Sequence, residues 1–458
     1  MLRQDTIAAI ATPFGQAGVG IIRISGPQAS AIACRIFKPA HQNCSWESHR
    51  LYHGDIVTAD GKTILDEVLV CLMRRPHSFT GEDVLEIHCH GNPLILQAVL
   101  EELMELGCRP ARPGEFSQRA FFNNRLDLSQ AEALAAIVAA RSSAACKMAL
   151  AQLKGAVGLE IENLRLLLID ALAGLEAAVD FSEDVEAGQP ALPGQIDQAL
   201  DRLQKLLSSY TSAKPYTEGI NCVITGKPNV GKSSLLNSLL GRKRAIVTDI
   251  PGTTRDLVTD TFTVGGISIN LSDTAGIRQP HDAIEKEGID LVWEKLADAD
   301  VVIMLFDGSR PLSKEDWDLF SRNKNANTII AVNKIDLPPA WEINAIEYLR
   351  PFQNNILKIS AKFGTGLPDL NQAVIALSGN KDGINSDHVI ITNLRHKQAL
   401  EKTHANIARA KNSIRNGLSP EFAAFDLREA LDSLDEITGK KINEEILDKI
   451  FSSFCIGK

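Results

Sequence analysis

A chain of 458 residues, at about 150 residues per domain, is expected to hold roughly three domains and not one core. Hydrophobic residues at 44% and charged residues at 23% match soluble globular proteins, which excludes wholesale disorder and a fibrous architecture. A formal net charge of -9 excludes a surface that tracks a nucleic-acid backbone everywhere and leaves room only for a local basic patch, because neutralising phosphates needs clustered Lys and Arg.

The first ten residues carry Asp5 and lack both a long apolar core and a cleavage site, so no secretory signal is expected. Residues 1–120 mix β-like runs at 19–24, 68–72 and 84–88 with one helical stretch at 94–106, the pattern of a small α+β unit. From residue 126 the texture turns helical. Ser129 followed by Glu132 reads as a capping box, and apolar positions recur at helical spacing as far as residue 179. Asp170 and Glu176 interrupt the longest apolar run, so no membrane span is expected. Pro190, Pro193 and Gly194 break the pattern, and a further helical run covers 196–210. Strands and helices then alternate from residue 220 to about 379. Helical patterning returns from 394 to the end, after a turn-rich stretch at 378–383. The simplest organisation has four segments: an α+β domain at 1–120, a helical domain built from 121–217 and 380–458, and an α/β domain at 218–379 inserted between its halves. Eight cysteines, at 34, 44, 71, 89, 108, 146, 222 and 455, form no Cys-x-x-Cys pair and read as free thiols of a reducing, cytoplasmic compartment. Of these, Cys455 is the one placed for chemistry.

Within the α/β block, Gly226-Lys227-Pro228-Asn229-Val230-Gly231-Lys232-Ser233, followed by Ser234, stands between an apolar strand and a helix-forming run, the context a P-loop requires. Its glycines let backbone N–H groups curl around phosphates, Lys232 reaches the β and γ oxygens, and the Ser233 hydroxyl suits Mg²⁺. Asp273-Thr274-Ala275-Gly276 ends another strand and brings an acid and a glycine N–H toward the metal and γ-phosphate. Asn333-Lys334-Ile335-Asp336 ends a third. There the Asp336 carboxylate can accept from N1 and the 2-amino group of guanine, a donor pair adenine lacks, which argues for GTP over ATP. Ser360-Ala361-Lys362 can complete the base pocket.

These motifs resemble the translation-factor-related P-loop GTPases, with one departure. Ile277 follows the switch glycine where signalling GTPases place a water-orienting Gln, so hydrolysis needs polar groups from Glu285, Glu287 or the segment Thr248-Asp249-Ile250-Pro251-Gly252-Thr253-Thr254-Arg255-Asp256. Thr254 is the expected second ligand of Mg²⁺. Arg255 reads either as an arginine finger in cis or as a surface arginine. Asn229 reads either as a ligand of a hard monovalent cation or as a turn cap.

Over the whole length the chain resembles the MnmE (TrmE) family of tRNA-modification GTPases. The resemblance rests on the terminal Cys455-Ile456-Gly457-Lys458, on Asp5-Thr6-Ile7, Arg23-Ile24-Ser25-Gly26, Ser78-Phe79-Thr80-Gly81-Glu82-Asp83, and Ala111-Arg112-Pro113-Gly114-Glu115-Phe116. It implies an N-terminal α+β folate-binding-like domain that also dimerises, a two-segment helical domain, and an inserted Ras-like P-loop GTPase domain. It further implies that the protein, with the FAD- and NADH-dependent partner MnmG, adds a carboxymethylaminomethyl or aminomethyl group at carbon 5 of the wobble uridine of certain tRNAs. A methylene- or formyl-tetrahydrofolate would be held by Arg23, Glu86, Arg125 and Lys458. Glu86 suits the pterin amino and ring N–H groups, and the cations suit a glutamate tail. The resemblance implies K⁺ activation through paired GTPase domains, with Asn229, Thr248, Ile250 (by its carbonyl) and Thr253 as cation ligands and Glu285 orienting water. Cys455 is either a nucleophile favoured by Lys458 or a buried inert thiol.

His88-Cys89-His90 invites a zinc reading, but on a strand the two histidines share a face that Cys89 leaves, and packed or hydrogen-bonded histidines are the alternative. Two rival functions share the motifs: a ribosome-assembly GTPase switch, and a folate-dependent aminomethyltransferase that GTP merely regulates. tRNA affinity is expected mostly from MnmG, helped locally by Arg242, Lys243 and Arg244. No membrane and no DNA partner is expected.

Overall fold

The computed structural model describes residues 5–41, 46–180, 191–241, 260–273, 299–322, 327–341, 355–377 and 389–457. In chain order the N-terminal region runs β1 (Ile7–Ile10), β2 (Ala17–Ser25), α1 (Ala29–Ile36), β3 (Phe37–Pro39), β4 (Leu51–Val57), β5 (Ile64–Met73), β6 (Val84–Gly91), α2 (Pro93–Glu105), β7 (Arg109–Pro110) and α3 (Glu115–Phe122). Four helices follow, α4 (Leu128–Ala139), α5 (Ser143–Leu153), α6 (Ala156–Asp180) and α7 (Ala191–Thr217). The α/β block holds β8 (Ile220–Thr225), α8 (Lys232–Leu240), β9 (Asp260–Val264), β10 (Ile267–Asp273), β11 (Val301–Asp307), α9 (Lys314–Arg322), β12 (Thr328–Asn333), β13 (Ile356–Lys358) and α10 (Leu367–Leu377). The chain ends in α11 (Leu394–Arg415), α12 (Pro420–Thr438) and α13 (Glu444–Ser452). Two units group by proximity: Met1–Val138 with Leu150–Arg202 and Gln398–Lys458, and Ala139–Ala149 with Leu203–Lys397. Among the described residues no helix is long and apolar enough to cross a membrane.

In the first unit a seven-stranded sheet has the order β3-β4-β5-β6-β2-β1-β7, antiparallel except for the β1–β7 pair. Period-two alternation decides its faces. Ile22 and Ile24 on β2 and Leu85, Ile87 and Cys89 on β6 enter the core with Ile32 of α1 and Leu96, Val99 and Leu103 of α2. Arg23, Glu86 and His88 alternate to the other side. α2 begins where its local chemistry says it should: Pro93 stands at the first turn and the Asn92 side chain accepts from Leu94 N–H at 2.9 Å. Asn92 thus works as a helix cap.

The helical run expected at 126–179 is divided into α4, α5 and α6. Gly155 takes a φ of 88° between the last two, and Ser142 caps α5 by accepting from Ala145 N–H at 3.0 Å. The capping box lies two residues earlier than Ser129 and Glu132. Asp127 accepts from Gln130 N–H at 2.8 Å while Gln130 Oε1 accepts from Asp127 N–H at 2.9 Å, and Ser129 falls inside the first turn. The two helical segments are joined by charge: Arg165 donates to Asp435 at 2.9 Å and Arg428 pairs with Glu176 at 2.6 Å. Leu447 and Phe451 of α13 and Phe454 beyond it pack on Leu128 and Ala131 of α4.

A buried ion network ties this unit together. Arg119, 3% exposed, pairs with Asp5 at 2.6 Å, Glu82 at 3.0 Å and Glu115 at 3.4 Å, and Arg109 bridges Glu115 at 2.6 Å and Asp5 at 2.8 Å. Burial alone would raise the Asp5 and Glu115 carboxyls, but the guanidiniums of Arg109 and Arg119 outweigh it and hold both below their ordinary values of 3.8 and 4.5. A lowered folded value stabilises fully above the unfolded one and is lost as pH falls through the folded one. We therefore expect urea unfolding of this unit to show falling stability as the pH drops below 4.5. Arg119→Met should cost about 3 kcal/mol at neutral pH, because it removes the buried cation shared by Asp5, Glu82 and the buried Glu115.

In the second unit a six-stranded sheet has the order β13-β12-β11-β8-β10-β9, parallel except for β9, which runs antiparallel to β10. Both faces are covered, which is why its central strands read as continuous apolar runs. Ile220, Cys222, Ile224, Ile303 and Leu305 face Leu235 and Leu239 of α8 and Leu370 of α10. Val302, Met304, Phe306 and Ile330 face Leu319 and Phe320 of α9 with Trp341. Phosphate-binding chemistry in such sheets belongs at the carboxyl ends of the strands, next to helix N-termini.

Candidate functional site

At that end of the second unit, β8 leads into a loop that only a glycine-rich sequence can make. Gly226 has φ 152°, Asn229 φ 65° and Gly231 φ 104°. A Cβ on Gly226 would lie 2.5 Å from Leu305 O, and one on Gly231 2.3 Å from Asn333 Nδ2. Lys232 opens α8 with its side chain buried, and its ammonium donates to Gly226 O at 2.7 Å and Lys227 O at 2.8 Å. Those two carbonyls aim the ammonium at the mouth of the loop, where the N-terminus of α8 adds its own positive end. Ser233 and Ser234 stand exposed on the first turn of α8.

Three sequence motifs meet there. Asn333 donates to Val230 O at 2.8 Å and accepts from Ala361 N–H at 2.9 Å, joining the P-loop to the residues after β13. Lys334, at φ 66°, donates to Asn229 O at 2.9 Å and pairs with Asp307 at 2.6 Å. Ser360 Oγ donates to Asp336 Oδ1 at 2.7 Å and so orients that exposed carboxylate. Lys362 is exposed with its ammonium 5.1 Å from the Phe363 ring. Asp273 ends β10, its backbone in register with Ile224 of β8, one strand from the loop. Thr248, Asp249, Ile250, Pro251, Gly252, Thr253, Thr254 and Arg255 lie outside the described residues, as do Arg242, Lys243, Arg244, Thr274, Ala275, Gly276, Ile277, Glu285 and Glu287.

Sequence reasoning missed Asp307. Burial would raise its carboxyl, but Lys334 and Ser309 hold it below the ordinary range, so a carboxylate stands beside the Lys334 ammonium. Its signal was available: it ends an apolar strand, as Asp273 does.

The first unit brings together a second constellation. Arg23 and Glu86 are cross-strand partners on β2 and β6, and both the Nε and Nη2 atoms of Arg23 lie 2.8 Å from Glu86 Oε1. The guanidinium also donates to Gly457 O at 3.1 Å and lies 5.5 Å from the Phe79 ring centroid and 5.8 Å from that of Phe116. Arg125 is exposed and donates to Ser78 O at 3.1 Å, so the turn that carries Phe79 touches both arginines. His88 Nε2 stands 3.6 Å from Glu86 Oε2, sealed from solvent and without a hydrogen bond. Such an orphaned buried nitrogen beside a carboxylate is chemistry suited to a polar heterocycle.

Two close backbone approaches let the C-terminal tail reach this constellation. Gly114, at φ 66°, would clash with Phe451 O if it bore a Cβ, and Gly457, at φ 92°, with Ile10 O. Gly114 N–H donates to Cys455 O at 3.3 Å. Phe451 and Phe454 are buried while Cys455 is exposed, which sets aside the buried reading of this thiol. Lys458 lies outside the described residues. Cys34 and Cys146 are exposed too, so exposure does not single out Cys455. Burial pushes the thiols of Cys89 and Cys222 up to about 12 and that of Cys108 to about 11, which keeps them protonated and inert. Cys89 enters the core and His90 pairs with Asp66 at 2.7 Å, so this strand divides its zinc-like residues between two faces.

Two family models cover nearly the whole chain. A model described as "MnmE helical domain" matches residues 128–455, and one described as "GTP-binding protein TrmE N-terminus" matches residues 6–125. Curated relatives named "tRNA modification GTPase MnmE" align end to end. That of Syntrophus aciditrophicus is 48% identical over 456 residues, covering 99% of this chain and 100% of its own length. Those of Geobacter metallireducens and Acetivibrio thermocellus are each 40% identical, over 462 and 461 residues, covering 100% of both chains.

Proposed function

The chain belongs to the MnmE (TrmE) family of tRNA modification GTPases, and from that premise we propose that, together with MnmG, it adds an aminomethyl-type group at carbon 5 of the wobble uridine of its tRNAs, with K⁺-activated GTP hydrolysis driving a conformational cycle. The observation that carries the nucleotide half is the convergence of Lys232, Asn333, Lys334 and the Ser360–Asp336 pair at one end of the sheet. Asp336, with its carboxylate oriented by Ser360, accepts from guanine. Asn333 and Ala361 hold the base pocket to the loop, and Lys362 lies along it. Lys232, Gly226, Val230, Gly231 and Ser234 serve the phosphates.

Ser233 and Thr254 would hold Mg²⁺, and Asn229, Thr248, Ile250 and Thr253 would hold K⁺. Both cations supply positive charge where the phosphates develop negative charge. Asp273 through Gly276 and the segment from Thr248 to Thr254 would respond to the γ-phosphate, and Glu285 would orient the attacking water, a need created by Ile277.

For the modification half, the donor set fits a tetrahydrofolate derivative, which supplies a one-carbon unit when bound. Glu86 and the orphaned His88 nitrogen suit the polar edge of a pterin, and Arg125 with Lys458 suits a carboxylate tail. Arg23 holds Glu86 in place and anchors the tail at Gly457, which keeps Cys455 next to this constellation. The protein acts in the cytoplasm as a homodimer joined through its N-terminal domains. MnmG, carrying FAD and NADH, completes the assembly on tRNA.

Steady-state GTP hydrolysis in K⁺ and in Na⁺ at equal ionic strength tests this reading. A cation that takes the charge role of an arginine finger, a device worth about 10³ to 10⁵ in rate, should make hydrolysis on the order of 10²-fold faster in K⁺ and shift the protein toward paired GTPase domains. Equal rates in the two salts would remove the cation ligands from the account and return Arg255 to the role of finger.

A further inference from the structure

The side chain of Lys227, the second residue of the P-loop, is engaged by the first turn of α9. Its ammonium lies 2.7 Å from Asp316 Oδ2 and bonds the Ser313 hydroxyl, with Glu315 farther off at 3.9 Å. The pair is largely withdrawn from water: the Lys227 side chain is 21% exposed and that of Asp316 6%. Asp316 is already at work, because its Oδ2 accepts from Ser313 N–H at 2.9 Å and closes the first turn of α9. One carboxylate therefore serves a helix cap and a P-loop side chain together. α9 is itself fixed, since Leu319 and Phe320 pack on the core formed by Val302, Met304 and Phe306.

The backbone of the same residue does something different. The carbonyl of Lys227 is one of the two that accept from the Lys232 ammonium. Anchoring the Lys227 side chain to a rigid helix cap fixes where that carbonyl lies, and the carbonyl fixes where Lys232 points. The remaining anchors of the loop, Lys334 on Asn229 O and Asn333 on Val230 O, hold its later half. The Lys227 side chain holds its first half from the side.

We propose that Lys227 is a positioning residue for GTP binding: through Asp316 and Ser313 it latches the first half of the P-loop to the cap of α9 and so aims Lys232 at the phosphates. The proposal rests on the reading of residues 226–233 as the phosphate cradle. Because the ion pair is withdrawn from water and its partner is shared with a cap, Arg keeps the latch while an uncharged isostere of similar length breaks it.

The test is equilibrium binding and dissociation of a fluorescent GDP analogue by the full chain, with the thermal midpoint recorded beside it. Lys227→Met and Asp316→Asn should each weaken binding about tenfold through faster release, and the double variant should be no weaker than either single one. Lys227→Arg should stay within about twofold of the unsubstituted chain. Lys227→Met binding as tightly as the unsubstituted chain, with Lys232→Ala having lost binding, overturns the latch and leaves the cradle. Losses that simply add in the double variant also overturn it. Lys232→Ala binding nucleotide normally overturns the cradle and the latch together. Should Lys227→Met not fold, Asp316→Asn carries the same comparison, and unchanged release from it contradicts the proposal.

Discussion

Lys232→Ala is expected to abolish GTP binding and, with it, hydrolysis, with the rate at any attainable GTP concentration falling by at least about 10³-fold. The ammonium is held by Gly226 O and Lys227 O at the opening of α8, so it meets the phosphates without reorganising. Removing it takes the compensating charge from a loop whose other contributions are backbone N–H groups and a helix end, each worth far less against a triphosphate. The fold should survive, because water can reach the loop carbonyls of Gly226 and Lys227 once the side chain is gone. Lys232→Arg should fail almost as badly: the planar guanidinium cannot take the place of a compact ammonium between two carbonyls. Titration with a fluorescent GTP analogue and a phosphate-release assay check both variants. Binding near the unsubstituted level in Lys232→Ala would mean that the loop does not cradle phosphates.

Glu285→Ala is expected to separate the two halves of the cycle. Nucleotide should bind with ordinary affinity, since Asp336, Asn333 and Lys232 are untouched, while single-turnover hydrolysis falls by about 10² to 10⁴, the usual range for losing a positioned group that handles the water's proton. Ile277 creates the need for Glu285, because its side chain cannot hydrogen-bond water where a glutamine does so in signalling GTPases. Rates within a factor of a few of the unsubstituted chain would move the role to Glu287 or Arg255.

The nucleotide half was legible because P-loop chemistry is local: eight consecutive residues between a strand and a helix have one geometry, and the Asn333–Asp336 and Ser360–Lys362 motifs each end a strand of the same sheet. The strands of that sheet announced themselves as unbroken apolar runs, since both faces are buried. The Arg23–Glu86 pair was not legible from spacing, because 63 residues separate its members and only the β2–β6 register brings them together. Resemblance pointed to these residues, yet the direct Arg23–Glu86 bond and the grip on Gly457 O came from the fold. The network of Asp5, Glu82, Arg109, Glu115 and Arg119 escaped for the same reason. The α4 cap was misread by two residues because Ser-x-x-Glu and Asp-x-x-Gln overlap at 127–132, and the choice between them depends on where the helix leaves the preceding turn. Lys227 and Asp316 lie farther apart still. Their only sequence trace was the capping-box spacing of Ser313 and Asp316, which says nothing about a lysine 86 residues away from Ser313.

In the proposed cycle GTP hydrolysis, not GTP binding, drives modification of tRNA. The most direct measurement is the yield of modified wobble uridine, by nucleoside mass spectrometry, in reactions containing MnmG, the one-carbon donor, tRNA and saturating GTP with either the unsubstituted chain or Glu285→Ala. Glu285→Ala, although loaded with GTP, should leave the wobble uridine essentially unmodified. Full modification by that variant would contradict it and make GTP a regulator of chemistry that proceeds without hydrolysis.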